Sequence, residues 1–267
     1  MGRGIAQAIA QAGYKTILFD INSEVLSLAE TQIRTSLEQS VTRQKLSGDE
    51  AKAVMGNIQF TNSIRDCRAD LVIEAALEKL ETKQKLFLEL AAINSEDCIL
   101  TTNTSSLAVT DIAAMIPSPG RFAGLHFFNP APLMKLVEVV QTKFTSQDII
   151  DNLCDFVLSI NKIPVICQDA PGFIVNHVAR PYYLEALRLL EQGIEPSLID
   201  DIMEATGFKM GPFRLMDLIG NDINYAVSVS VYNAMGKPPR LAPSDVQKQL
   251  VENNKLGCKS GVGFYPY

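Results

Sequence analysis

Histidine is scarce in this chain: its 267 residues include only two, His126 and His177. The five cysteines, Cys67, Cys98, Cys154, Cys167 and Cys258, are odd in number, widely spaced and include no Cys-x-x-Cys pair. These shortages argue against a metal centre, which needs clustered imidazole or thiolate ligands, and against a disulfide framework. Free thiols in a reducing, intracellular compartment are expected instead. Positive charge is also in deficit, since 24 Lys and Arg against 30 Asp and Glu leave a net charge of −6 and a pI near 5.1. Nucleic acid and anionic membrane surfaces are therefore poor main partners. No apolar run approaches the roughly 20 residues of a membrane span, and the first residues do not read as a signal peptide.

What is present suits a globular protein of two domains, with 47% hydrophobic residues and no repeat or low-complexity segment. Gly2 to Ala12 places small and apolar residues at helical spacing, with Gly13 as a stop. Thr16 to Asp20 reads as a buried strand ending in an acid. Asn22 or Ser23 caps a helix running towards Lys45, and Ser47 to Glu50 has the form of a capping box. Strands follow at Ile58–Thr61, Ala69–Ala75, Cys98–Thr102, Arg121–Phe128 and Ile163–Cys167, with helices at Leu80–Ile93, Ala108–Ile116 and Ser146–Ile160. This alternation predicts an α/β fold, a doubly wound Rossmann-type parallel sheet with ligands at the carboxyl ends of its strands, where Asp20, Asn103 and His126 fall. From Asp169 onward the pattern is helical, so two domains are expected, residues 1–168 and 169–267.

Two features carry chemistry. Gly2, at the head of a helix, is followed eighteen residues later by Asp20, close to the roughly 20 expected of a dinucleotide-binding unit. A carboxylate there accepts from ribose hydroxyls and disfavours a 2′-phosphate, which points to NAD; alternatively, Asp20 only starts the next turn. A complete fingerprint also has a strand and two glycines ahead of this stretch. With the chain starting at Met1-Gly2, either it begins late or its cofactor binding is weakened.

The second feature is GLHFFNPAPLMKLVEVV, Gly124 to Val140, in which His126 and Glu138 are equidistant from Pro132. If the two apolar runs pair as antiparallel strands about the Pro-Ala-Pro turn, His126 lies opposite Glu138. A carboxylate between Val137 and Val139 is costly to bury unpaired, and an imidazole is a suitable partner. The pair is then a candidate general base; in the alternative, Glu138 points to solvent and His126 is an ordinary core histidine.

These residues sit in a longer pattern. MGRGIAQAIAQAG, NTSSL from Asn103 to Leu107, RFAGLHFFNPAPLMKLVEVV, PGFIVN from Pro171 to Asn176, GPF and GVGFY occur in order along the whole chain. In this the chain closely resembles the NAD-dependent 3-hydroxyacyl-CoA dehydrogenases, including the 3-hydroxybutyryl-CoA dehydrogenases. The resemblance implies an NAD-binding domain, a helical domain that forms a homodimer, and reversible oxidation of an L-3-hydroxyacyl-CoA of short chain to the 3-ketoacyl-CoA. The setting expected from the residues is cytoplasmic, with the mitochondrial matrix left open in case the chain begins late. The resemblance further implies that His126 is the base, that Glu138 orients it, and that Ser105 and Asn176 hold the reacting oxygen and thioester region. Gly2, Asp20, Glu78, Lys83, Asn103, Ser105, Asn129 and Lys259 fall where the family contacts NAD, and Ser36 and Arg43 where it contacts coenzyme A, Arg43 in place of a more usual lysine. His177 replaces a usual arginine and is read as structural.

Alternatives remain from the residues alone. Ser105 could cap the helix near Ala108, Asn176 could bond backbone, and Arg34, Arg43 and Lys45 could form a solvated face. A non-catalytic protein of the lambda-crystallin kind would share the fold. A hydroxyisobutyrate-type dehydrogenase, which relies on a lysine in the helical domain, is disfavoured by GLHFFNP.

Overall fold

The computed structural model describes residues 1–267. In chain order the first compact unit holds α1 (Gly2–Gln11), β1 (Thr16–Phe19), α2 (Ser23–Thr42), α3 (Gly48–Gly56), β2 (Ile58–Thr61), β3 (Leu71–Glu74), α4 (Leu80–Ile93), β4 (Ile99–Thr102), α5 (Val109–Ala113), β5 (Phe122–Phe127), β6 (Leu136–Gln141), α6 (Gln147–Ser159) and β7 (Ile163–Gln168). The second holds only helices: α7 (Val175–Glu191), α8 (Pro196–Ala205), α9 (Pro212–Ile219), α10 (Asn221–Ala234) and α11 (Asp245–Glu252). The units divide between Asp169 and Ala170, one residue after the boundary expected from the change in pattern.

Local chemistry sets the element ends. Asn22 caps α2 by accepting from the Glu24 and Val25 amides, and Ser47 and Glu50 form a reciprocal capping box at α3. The helix expected to run towards Lys45 stops at Thr42 because Gln44 turns into left-handed backbone, φ 56°. The helix expected over Ala108–Ile116 is regular only to Ala113; its tail tightens into i→i+3 bonds, Met115 to Ile112 and Ile116 to Ala113, ahead of Pro117.

The sheet comes in two parts. β1 pairs only with β2, in parallel, while β3-β4-β5-β6-β7 form a second sheet. In the larger sheet all neighbours are parallel except the β5–β6 hairpin. Its core packs Leu125, Phe127, Val137 and Val139 against Ile150, Leu153 and Val157 of α6. A smaller core joins Ala10, Ile33, Leu37, Val54 and Ile58 between α1, α2, α3 and β2. Leu184, Leu187, Phe213 and Met216 centre the helical unit. No helix is long and apolar enough to cross a membrane, and the five cysteines are free.

Candidate active site

β3, β4 and β5 run side by side, so Glu74, Thr102 and Gly124 align across three strands near their carboxyl ends. The residues just beyond these ends are where chemistry gathers. His126 faces Glu138 in the hairpin register, and its Nδ1 lies 2.7 Å from Glu138 Oε2. The Glu138 side chain is wholly buried and that of His126 is 7% exposed. A carboxylate only accepts hydrogen bonds, so Nδ1 carries the proton and donates it to Glu138; the neutral imidazole then keeps its basic lone pair on Nε2. An edge-on contact with Phe128, ring centroids 4.7 Å apart, further fixes the ring. Burial, and then the Glu138 charge, push the nearby Cys167 thiol up to about 12, so it stays protonated and inert.

The turn after β4 is tied to this hairpin. The Asn103 side-chain oxygen accepts from the Phe127 N–H at 2.8 Å, next to His126 in the chain. Thr104, Ser105 and Ser106 all donate to Glu78 Oε1: the Thr104 hydroxyl at 2.5 Å, the Ser105 N–H at 3.1 Å and the Ser106 hydroxyl at 2.9 Å. Burial alone would push the Glu78 carboxyl up; the Thr104 hydrogen bond, the Lys83 charge and the Ser106 hydroxyl outweigh it and hold the group below the usual carboxylate range. Ser105 is itself partly exposed. It does not cap α5: the Asp169 carboxylate does, accepting from the Val109 and Thr110 amides at 3.0 and 2.7 Å.

The structure distributes the other expected site residues as follows. Gly2 opens α1, where an added Cβ would stand 3.8 Å from that of Ala75, just past β3; a Cβ added at Gly4 would stand 3.3 Å from Pro132 Cδ of the hairpin turn. Asp20 follows β1, with Oδ1 accepting from the Asn22 N–H at 2.9 Å, which leaves acceptor capacity on the carboxylate. Asn129 is exposed at the start of the hairpin turn. On α2, Ser36 accepts from the Gln7 amide of α1 at 3.1 Å, and the exposed Arg43 lies two turns further along the same face. Lys83 is buried against Glu74 and Glu78 rather than displayed.

In the helical unit, Asn176 lies in the first turn of α7, its carbonyl accepting from Arg180 Nε at 2.9 Å. His177 Nδ1 bonds the Pro171 carbonyl at 3.1 Å, a structural role. Lys259 pairs with Asp222 at 2.5 and 2.7 Å.

Reading the sequence alone missed Glu74, Lys162 and Asp169. Lys162 donates to the Ala131 and Met134 carbonyls at 2.6 and 2.7 Å and so pins the hairpin turn. For Glu74 a signal existed: an acid closing the apolar run LVIE, nine residues before a lysine, as Asp20 closes TILF.

The donor chemistry around α1 and β1 fits a dinucleotide. A helix N-terminus presents N–H groups to a pyrophosphate, and a carboxylate ending the next strand accepts from ribose hydroxyls. Comparisons with known proteins agree. Residues 1–170 match the profile "3-hydroxyacyl-CoA dehydrogenase, NAD binding domain", and residues 172–267 match "3-hydroxyacyl-CoA dehydrogenase, C-terminal domain". The chain is 48% identical over 270 residues to the 3-hydroxyadipyl-CoA dehydrogenase of Escherichia coli K12, spanning all of itself and 57% of that protein. It is 40% identical over 277 residues to the mitochondrial hydroxyacyl-coenzyme A dehydrogenase of Sus scrofa, covering 88% of it. The crystal structure of (S)-3-hydroxybutyryl-CoA dehydrogenase from Ralstonia eutropha superposes with a TM-score of 0.94 at 32% identity, over 100% of this chain and 95% of that one. By fold, motif and these matches, the chain belongs to the family of NAD-dependent 3-hydroxyacyl-CoA dehydrogenases.

Proposed function

We propose that the chain oxidises a short L-3-hydroxyacyl-CoA, such as 3-hydroxybutyryl-CoA, to the 3-ketoacyl-CoA, and runs the reverse reaction. The observation that carries this is the buried His126–Glu138 pair at the carboxyl end of the sheet. A secondary alcohol gives up hydride readily only as its O–H proton leaves, so a base within hydrogen-bond reach of that proton is required. His126 Nε2 takes the 3-hydroxyl proton, and the imidazolium so formed is stabilised by Glu138, which keeps its own proton-free state. When bound, NAD supplies the hydride acceptor. Asp20 and the α1 N-terminus hold its adenosine side, with Glu78, Asn103, Ser105, Asn129 and Lys259 as its further contacts. Ser105 and Asn176 hold the reacting oxygen and thioester region, and Ser36 and Arg43 face the coenzyme A phosphates.

Exposed apolar side chains on α8 and the following loop, Leu198, Ile202 and Phe208, suit a homodimer through the helical unit. The free thiols suit the cytoplasm.

A second, non-catalytic reading of the crystallin kind shares the same fold. The deciding experiment follows NADH oxidation with acetoacetyl-CoA as substrate, using this chain and a version with a strand ending in Gly-x-Gly placed ahead of Met1. NADH fluorescence titration of both reports cofactor binding separately. Turnover in either supports the dehydrogenase; NADH binding without turnover in both establishes the inert reading.

A further inference from the structure

Glu74, the last residue of β3, has no part in the reaction described above, yet its side chain is wholly buried. Four hydrogen bonds reach it, all donated to it. Oε1 accepts from the Ala76 N–H at 2.5 Å and from Lys83 Nζ at 2.7 Å; Oε2 accepts from Lys83 Nζ at 2.9 Å and from the Thr102 hydroxyl at 2.7 Å. A carboxylate ringed by donors alone is ionised. Lys83 is 1% exposed, and its ammonium also reaches Glu78 Oε2 at 3.1 Å. With those contacts its three donors are committed to carboxylates, and the ammonium serves as their shared internal counter-ion.

Glu78 is the outer end of this bridge. Through Oε1 it gathers Thr104, Ser105 and Ser106, and the Thr104 hydroxyl in turn accepts from the Ser106 and Leu107 amides. The Glu74 carbonyl also accepts from the Asn103 N–H at 2.7 Å. One buried ammonium therefore connects the rigid end of β3 to the turn that presents Ser105. Ion pairs enclosed in this way seldom add net stability over apolar side chains of similar volume. Their directional bonds do fix geometry, and reacting groups misplaced by about 1 Å can lose rate by roughly 10²-fold.

We propose that Glu74 and Lys83 are positioning residues for the dehydrogenase: a carboxylate–ammonium–carboxylate bridge that sets Ser105 through Glu78. This rests on the reading of Ser105 as a holder of the reacting oxygen.

The test is the double variant Glu74→Gln with Lys83→Met, which removes one charge of each sign, keeps the side-chain volumes close and leaves Glu78 in place. Turnover, KM for acetoacetyl-CoA, melting temperature and amide hydrogen exchange over residues 104–107 are compared with the parent. The expected result is a kcat lower by about tenfold or more with KM within about threefold, together with faster exchange across the turn. Glu78→Gln, altered at the part-exposed end of the bridge, should reproduce both effects and decides the matter if the double variant does not fold. Unchanged kcat, or a fall in kcat with unchanged exchange, overturns the proposal. A parent protein with no turnover in either version of the chain ends the dehydrogenase reading and the catalytic sense of the bridge with it, while the exchange data still show whether the bridge holds the turn.

Discussion

The Asn103 side-chain oxygen accepts the Phe127 N–H at 2.8 Å, so the turn that carries Ser105 is locked to the strand end that carries His126. Both groups are buried. Asn103→Ala leaves the Phe127 amide without that acceptor, and an orphaned buried donor costs about 1–3 kcal/mol. Urea denaturation should show the midpoint falling with an unchanged m-value. A midpoint equal to the parent's would mean that another group takes over the amide.

The dyad makes a sharper kinetic statement. His126→Gln removes the base and keeps a polar side chain of similar reach, so kcat should fall by about 10²–10⁴-fold while KM changes little. Steady-state assays in the direction of acetoacetyl-CoA reduction read both constants. A rise in KM with unaltered kcat would assign His126 to binding instead.

Acid sensitivity follows from Glu78. Its carboxyl lies below the usual range in the folded protein, because Thr104, Lys83 and Ser106 outweigh the opposing effect of burial. A group depressed on folding contributes stability above its unfolded pKa, about 4.3 for glutamate, and loses it as pH falls through the lower folded value. Glu78→Gln should therefore flatten the decline of melting temperature between pH 5 and 3 by a modest amount, since the side chain is 37% exposed and partly screened. Parallel melting curves for the two proteins over that range would contradict this account.

Much of this architecture is written locally. The hairpin register follows from Pro132 standing midway between His126 and Glu138, because a period of two leaves one pairing that buries both apolar faces. The Ser47–Glu50 capping box and the span Leu80–Ile93 follow from side chains a few residues apart. The Glu74–Lys83–Glu78 bridge does not: an acid at a strand end and a lysine on the next helix look like two surface charges until packing encloses them. Asp169 is invisible for the same reason, since it caps a helix that begins sixty residues earlier.

Gly124 tests the hairpin that holds the dyad. It sits opposite Val140, two residues before His126, and a Cβ added there would lie 2.7 Å from Val140 Cβ and 3.1 Å from Val109 Cγ2. Neither neighbour is a flexible chain end, so Gly124→Ala must spread β5 from β6, an overpacking that typically costs about 1–3 kcal/mol. Turnover should fall as well, because the strands that part are those that set the 2.7 Å contact of His126 with Glu138. Val140→Gly removes the opposing Cβ together with its methyls, at its own cost in buried area and strand preference. In the double variant the two losses should not add, and a favourable coupling of about 0.5–3 kcal/mol is expected from a denaturation cycle. If the coupling is zero, the spreading is not transmitted through Val140, and Val109 on α5 becomes the contact that Gly124 protects.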